Sequence, residues 1–245
     1  MDQIKKAAEL IRKSKHTTVF TGAGISVESG IPAFRGPGGL WTKYDPKVLE
    51  LSYFHSNTKE SWTLIKEVFY DFFGQGKPNG AHIAIAKLEQ MGYVKTVITQ
   101  NIDNLHQEAG SKKVYEYHGT SKYLVCEKCG ARYDVSDVNL NSLPPLCDCG
   151  YYLKPDFIFF GEGIPEKAAL GSENEARIAD VFLVIGTTGE VMPACMIPYK
   201  AKENNAKIIE INPETSSFTK YITDIHLKGK AVEIMNALYN EIVGK

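Results

Sequence analysis

The chain has 245 residues, 43% hydrophobic and 23% charged, with 28 basic against 29 acidic side chains. That length buries a sizeable core and suits one large domain or two unequal ones. A net charge of -1 argues against direct nucleic-acid or membrane-surface binding, which needs a basic excess. Arginine is scarce: Arg12, Arg35, Arg132 and Arg177 stand among lysines, and residues 36–131 hold none. That stretch therefore has no residue for planar, two-pronged contact with a carboxylate or phosphate.

In chain order, residues 2–14 place Ile4, Ala7, Ala8 and Ile11 on one face and lysines on the other, an amphipathic helix by period. The opening MDQIKKAAELIRKSK has no apolar core of signal-peptide length. No later run approaches the ~20 apolar residues of a membrane span. A soluble, cytoplasmic protein is expected.

Short β-branched runs follow: HTTVFTG, VKTVITQ (94–100), VYEYHG (114–119), DFIFFGE (156–162), VFLVIGTT (181–188), AKIIEIN (206–212) and IHLKG (225–229). Helical segments such as PEKAALGSENEARIAD and GKAVEIMNALYNEIV come between or after them. Alternating strands and helices imply an α/β fold with a Rossmann-like parallel sheet covered on both faces.

Two stretches break this rhythm. Residues 36–72 open with a glycine- and proline-rich turn and continue as an aromatic-rich helical segment. Residues 120–155 hold four of the five cysteines and almost no helical periodicity. The expected organisation is a sheet domain of residues 1–35, 73–119 and 156–245. A smaller inserted domain of 36–72 and 120–155 would combine a helical module with a zinc ribbon.

The cysteines read Cys126-x2-Cys129-x17-Cys147-x-Cys149, each pair followed by glycine. Two close pairs on two turns make a tetrahedral thiolate site for Zn2+. Four thiolates leave no open position for water, so the ion is structural. A disulfide framework is disfavoured where no export signal is seen. Cys195, isolated in an apolar run, reads as a buried small hydrophobe.

Gly22-Ala23-Gly24-Ile25-Ser26 follows a strand and reads as a strand-to-helix turn, where glycines let backbone N–H groups approach a phosphate and the helix N-terminus adds partial positive charge. Alone, it fits a structural turn equally well. The third glycine of the dinucleotide fingerprint is Val27, and no second strand ends in an acid ~20 residues on. The run continues as Ser29-Gly30-Ile31-Pro32-Ala33-Phe34-Arg35. Thr99-Gln100-Asn101-Ile102-Asp103 and Tyr117-His118-Gly119 end later strands. Asp103 could equally cap the helix that follows it. His82 and His106 fall in helical patterns and read as packing or hydrogen-bonding groups.

With these motifs in order over nearly its whole length, the chain resembles the sirtuins, the NAD-dependent protein deacylases. Their GAGxSxxSGIPxFR, TQNID, HG, FGE and GTS motifs are all represented, with Thr188 in place of the last serine. The resemblance implies NAD as co-substrate and an acyl-lysine protein or peptide as partner. It assigns catalysis to His118, as base, and to Asn101. It assigns NAD contacts to Gly22, Ala23, Gly24, Ser26, Val27, Phe34, Arg35, Gln100, Asn101, Ile102, Asp103 and His118. Gly186, Thr187, Thr188, Asn212 and Ala231 complete that set.

Ile158, Phe160, Gly161 and Glu162 would bind the substrate, whose backbone adds as a strand. Many family members carry aspartate at the position of Ala33. Members that remove succinyl or malonyl groups use a Tyr-x-x-Arg pair. Tyr70 aligns with that tyrosine, but the arginine position falls at Phe73, so acetyl or apolar acyl groups are expected. An ADP-ribosyltransferase or NAD hydrolase would use the same cleft, and a non-catalytic zinc-ribbon binding module is the remaining alternative.

Overall fold

The structure, a computed structural model, describes residues 2–34 and 38–244. Its elements are α1 (Asp2–Lys13), β1 (Thr17–Thr21), a 3-10 helix (Ala23–Ser29), α2 (Leu51–Ser56) and α3 (Thr58–Ile65). The last runs into a π-helical turn, Lys66–Phe72. Then come α4 (Gly80–Gln90), β2 (Val94–Thr99), α5 (Leu105–Glu108), β3 (Val114–Glu116), β4 (Gly119–Val125), β5 (Arg132–Asp134) and β6 (Lys154–Phe157). The chain closes with α6 (Glu166–Ile178), β7 (Val181–Ile185), α7 (Met196–Glu203), β8 (Lys207–Asn212), α8 (Ser217–Tyr221), β9 (Ile225–Lys228) and α9 (Ala231–Val243).

The main sheet runs β3-β2-β1-β7-β8-β9, and every pairing is parallel. Alternate residues of its central strands feed opposite faces, as the pleat requires. Val19, Leu183 and Ile209 join Ile11, Ile85 and Leu238 on one side. Phe20, Phe182, Val184 and Ile208 join Ile197 and Phe218 on the other. β1 and β7 are neighbours from which the chain winds in opposite directions. This is the switch point where doubly wound sheets open a crevice at their strand C-termini.

A second sheet, β5-β4-β6, is antiparallel. It shares a third core with the helical module: Phe54, Trp62 and Phe69 pack with Leu124, Leu153, Phe157 and Phe159. The Trp62 indole Nε1 donates to the Leu153 carbonyl at 2.8 Å. Residues of 36–72 and of 120–155 thus share one core, which Phe73, Phe157 and Phe159 also enter. Among the described residues, no helix is long and apolar enough to cross a membrane.

Two expectations are corrected. The run 156–162 is not a strand of the parallel sheet. Its first residues belong to β6, which pairs with β4, and its apolarity comes from Phe157 and Phe159 filling the third core. The glycine turn after β1 leads into the 3-10 helix, not an α-helix.

Candidate active site and metal centre

The C-terminal ends of β1, β2, β7 and β8 carry Gly22–Gly24, Gln100–Asp103, Gly186–Thr188 and Asn212. At the switch point the backbone crosses itself. Gly24 N donates to Gly186 O at 2.8 Å, and Gly22 N donates to Ile185 O at 3.0 Å. A Cβ on Gly24 would lie 2.6 Å from Gly186 Cα, which itself sits at φ +64°. Only glycine lets the two turns approach this closely. Gly24→Ala should cost about 1–3 kcal/mol by overpacking. Thermal unfolding checks this, and an unchanged Tm would contradict the crossing.

The end of β2 builds the polar wall. Ser26 Oγ donates to Asp103 Oδ2 at 2.6 Å, and Asn101 Nδ2 donates to Ser26 Oγ at 3.1 Å and to Gly22 O at 3.3 Å. Asp103 Oδ1 also accepts Leu105 N at 3.1 Å, a turn bond just ahead of α5, whose N-cap is Asn104 and not Asp103. Burial pushes its carboxyl up, opposed by hydrogen bonds from Ser26, Leu105 N and Asn101. Gln100 Nε2 reaches Thr187 Oγ1 at 3.1 Å, bridging the ends of β2 and β7. Ser26, Asn101 and Asp103 face Ile31, Phe34, Phe73 and Ile102 across one crevice. Phe34 is held there by Trp41, Phe69 and Phe73, with ring centroids 5.4–6.4 Å away.

His118 follows β3. Its Nδ1 lies 3.1 Å from the Gln100 carbonyl. A carbonyl only accepts, so Nδ1 carries the proton and Nε2 keeps its lone pair. Burial lowers the imidazole pKa, partly offset by this hydrogen bond. Gly119 lets the chain turn tightly here: at φ +71°, its Cβ would sit 2.3 Å from Asp156 O. The same turn brings Ile158 N within 2.9 Å of His118 O.

Three residues behind this site gave no sequence signal as a network. His106 Nε2 lies 3.0 Å from Thr21 Oγ1, which donates to Thr99 Oγ1 at 2.9 Å. Thr99 Oγ1 then accepts Asn101 N at 3.0 Å. Strand threonines read simply as β-formers, and only the fold shows their hydroxyls meeting. His82 stacks edge-on against His106 at 4.9 Å, and its Nδ1 completes the capping box of α4 by accepting Asn79 N.

Burial pushes His82 down to about 4. Its folded pKa lies below the ordinary 6.5, so the stability it contributes is present above 6.5 and is lost as pH falls toward 4. The loss approaches about 3 kcal/mol. Denaturant midpoints at pH 7 and pH 4.5 read it, and midpoints that do not fall would contradict neutral burial.

The remaining expected contacts are dispersed. Asn212 Nδ2 donates to Thr187 O at 2.8 Å. Thr188 is exposed, and its carbonyl accepts Ser217 N at 3.0 Å. Ala231 opens α9, whose Val232 N donates to Glu28 Oε2 at 2.8 Å, docking that helix on the 3-10 helix. Val27 lines a separate cavity of about 790 Å³ with Pro32, Leu40, Tyr44 and Phe72. Arg35 lies outside the described residues. Phe157, which ends β6, and Phe159 are buried, while Ile158 is half-buried and Phe160 is 49% exposed. Exposed Gly161 follows, and Glu162 turns its carboxylate inward onto Phe159 N at 2.6 Å.

In the ribbon, Cys126 and Cys149 Sγ lie 3.6 Å apart, and Cys129 and Cys147 Sγ 3.5 Å. All four thiols fall within 4.8 Å of one another. A tetrahedron with Zn–S of ~2.3 Å requires S–S separations of ~3.8 Å, so the donors fit zinc. All five cysteines are free of disulfides, and Cys195 is buried.

Comparison with known proteins places this geometry. The family model described as the Sir2 family matches residues 22–193. The NAD-dependent protein deacylase 2 of Archaeoglobus fulgidus is 46% identical, covering 98% of this chain and 96% of that protein. The NAD-dependent protein deacylase of Pyrococcus furiosus is 43% identical over 97% of each chain. A mutant Sir2 homologue complexed with ADP-ribose superposes with a TM-score of 0.93 at 37% identity, over 98% of this chain and 96% of that one. A Sir2 complex with a p53 peptide and NAD+ gives a TM-score of 0.91 at 36% identity, over 99% of each. A glycine crossing at the switch point, an Asn–Asp–Ser wall, a strand-end histidine and a four-thiol ribbon in one chain have one common source: it belongs to the Sir2 family.

Proposed function

We propose that this chain is an NAD-dependent protein deacylase that prefers acetyl-lysine, or lysine bearing apolar acyl groups, over succinyl- or malonyl-lysine. The observation carrying the reading is the crevice beside the C-terminal ends of β1 and β2, with Ser26, Asn101 and Asp103 as its polar lining and Ile31, Phe34, Phe73 and Ile102 as its apolar lining. Ser26, Asn101 and Asp103 offer both donor and acceptor atoms, which suits a carboxamide. Gln100, Thr187 and Asn212 suit ribose hydroxyls, and the glycine crossing suits the pyrophosphate. When bound, NAD supplies the ADP-ribosyl group that accepts the acyl group as nicotinamide leaves.

The protein's own residues do the rest. His118 Nε2 accepts a proton from a ribose hydroxyl, since its Nδ1 is committed to the Gln100 carbonyl. Phe34, braced by three rings, keeps water from the reacting face. Half-buried Ile158 and exposed Phe160, on the segment after β6, hold the acyl-lysine.

Selectivity follows from the aromatic wall. Phe73, at the position where an acid-reading arginine would stand, is buried against Phe69 at 5.3 Å and lines the crevice. Among the described residues, no lysine or arginine lines that crevice. A buried carboxylate there would be unpaired, so kcat/KM for acetyl-lysine should exceed that for succinyl-lysine by about tenfold or more. Peptides differing only in the acyl group test it. Equal turnover of the two would defeat the selectivity, and turnover of neither would defeat the deacylase reading.

A further inference from the structure

Lys154, at the start of β6, is 4% exposed. Burying an ammonium is costly unless every proton finds an acceptor. Here each does: Nζ donates to Pro155 O at 3.0 Å, to Phe157 O at 3.1 Å and to Glu162 Oε2 at 3.0 Å. It also sits 4.5 Å above the centroid of the Phe159 ring. The same Glu162 oxygen accepts Phe159 N at 2.6 Å. One ammonium and one carboxylate oxygen therefore tie down the backbone from Pro155 to Glu162.

Between those ties the segment carries Ile158 and Phe160. Ile158 is bound through its N–H to His118 O at 2.9 Å. Phe160 exchanges hydrogen bonds with the helical module, its N donating to Leu49 O at 2.8 Å and its O accepting Leu51 N at 3.0 Å. The inward pull on Phe157 and Phe159 leaves Ile158 and Phe160 facing outward. A one-residue slip would exchange the two faces.

We propose that the ion pair of buried Lys154 with partly buried Glu162 is a positioning device for the acyl-lysine substrate, fixing the register of residues 158–161 so that Ile158 and Phe160 face it. The proposal rests on the deacylase reading above. Glu162 then serves the substrate through the backbone it pins, and Lys154 is a positioning residue that touches neither substrate nor NAD.

The test measures KM for an acetyl-lysine peptide, KM for NAD and kcat on the zinc-loaded protein. The variants are Lys154→Met, Lys154→Arg, Glu162→Gln and the Lys154→Met/Glu162→Gln double. Lys154→Met should raise the peptide KM about tenfold while the KM for NAD moves less than about twofold. Lys154→Arg should recover most of the loss, since a cation is restored. The double variant should be less impaired than the sum of its singles, because no charge is left buried alone.

If Lys154→Met fails to fold, Glu162→Gln carries the measurement, because it keeps an acceptor for Phe159 N and loses only the charge. An unchanged peptide KM, or equal rises in both KM values, would overturn the proposal while the deacylase reading stands. Wild-type protein inactive on the peptide with NAD would overturn both.

Discussion

His118→Ala should lower NAD-dependent deacylation about 10²–10⁴-fold, the range for loss of a positioned general base. The fold should barely notice. The imidazole makes one hydrogen bond, to the Gln100 carbonyl, and its loss costs about 1 kcal/mol. The pH profile gives an independent check. Catalysis needs neutral Nε2, and burial lowers the His118 pKa from its ordinary 6.5. The base form therefore persists to more acidic pH than a free imidazole would allow, and activity falls only below that range. An acid limb of kcat/KM centred at or above 6.5, or a variant retaining near-full activity, would remove His118 from the role.

Zinc removal should have the other large effect. Apparent binding energies for structural thiolate zinc are about 10 kcal/mol or more, comparable to the whole stability of a domain. The ribbon also holds more than itself. Cys126 and Cys147 are buried in the same core as Trp62, Phe69 and Phe157, which leads directly to the segment carrying Ile158 and Phe160. Chelation, or Cys147→Ser, should release one zinc per chain, abolish deacylation and shift Trp62 fluorescence to the red as its bond to Leu153 O breaks. Metal-free protein with unchanged Tm and emission would show that the four thiols hold no structural ion.

The parallel sheet was legible because its strands are short β-branched runs buried on both faces, separated by helical periods. The zinc ligands were legible because their spacing has few other uses. What failed was the run 156–162, whose four apolar side chains look like a central strand. Buried Phe157 and Phe159 do alternate with accessible Ile158 and Phe160, but both sets are hydrophobic, so composition hides the alternation. The 3-10 helix at Ala23–Ser29 was likewise invisible, since the glycine signal reports a close approach and not the helix that follows.

Polar networks were the least legible. Thr21 lies far in sequence from Thr99 and His106, and its hydroxyl meets them only because β1 and β2 pair in register, Thr21 opposite Thr99. In the sequence Lys154 is one of 24 lysines, and only its burial sets it apart. The arginine scarcity, by contrast, bears on the proposed selectivity at one place: Phe73 lines the crevice, and among the described residues no lysine or arginine does.

The central claim is that acyl transfer from lysine to ADP-ribose occurs in the crevice at the C-terminal ends of β1 and β2. Mass spectrometry of an acetyl-lysine peptide incubated with the protein, with and without NAD, tests it most directly. The account predicts free lysine, nicotinamide and O-acetyl-ADP-ribose in equal amounts, only when NAD is present. NAD consumed while the peptide keeps its acetyl group would instead mark an NAD hydrolase or ADP-ribosyltransferase, and would contradict the account.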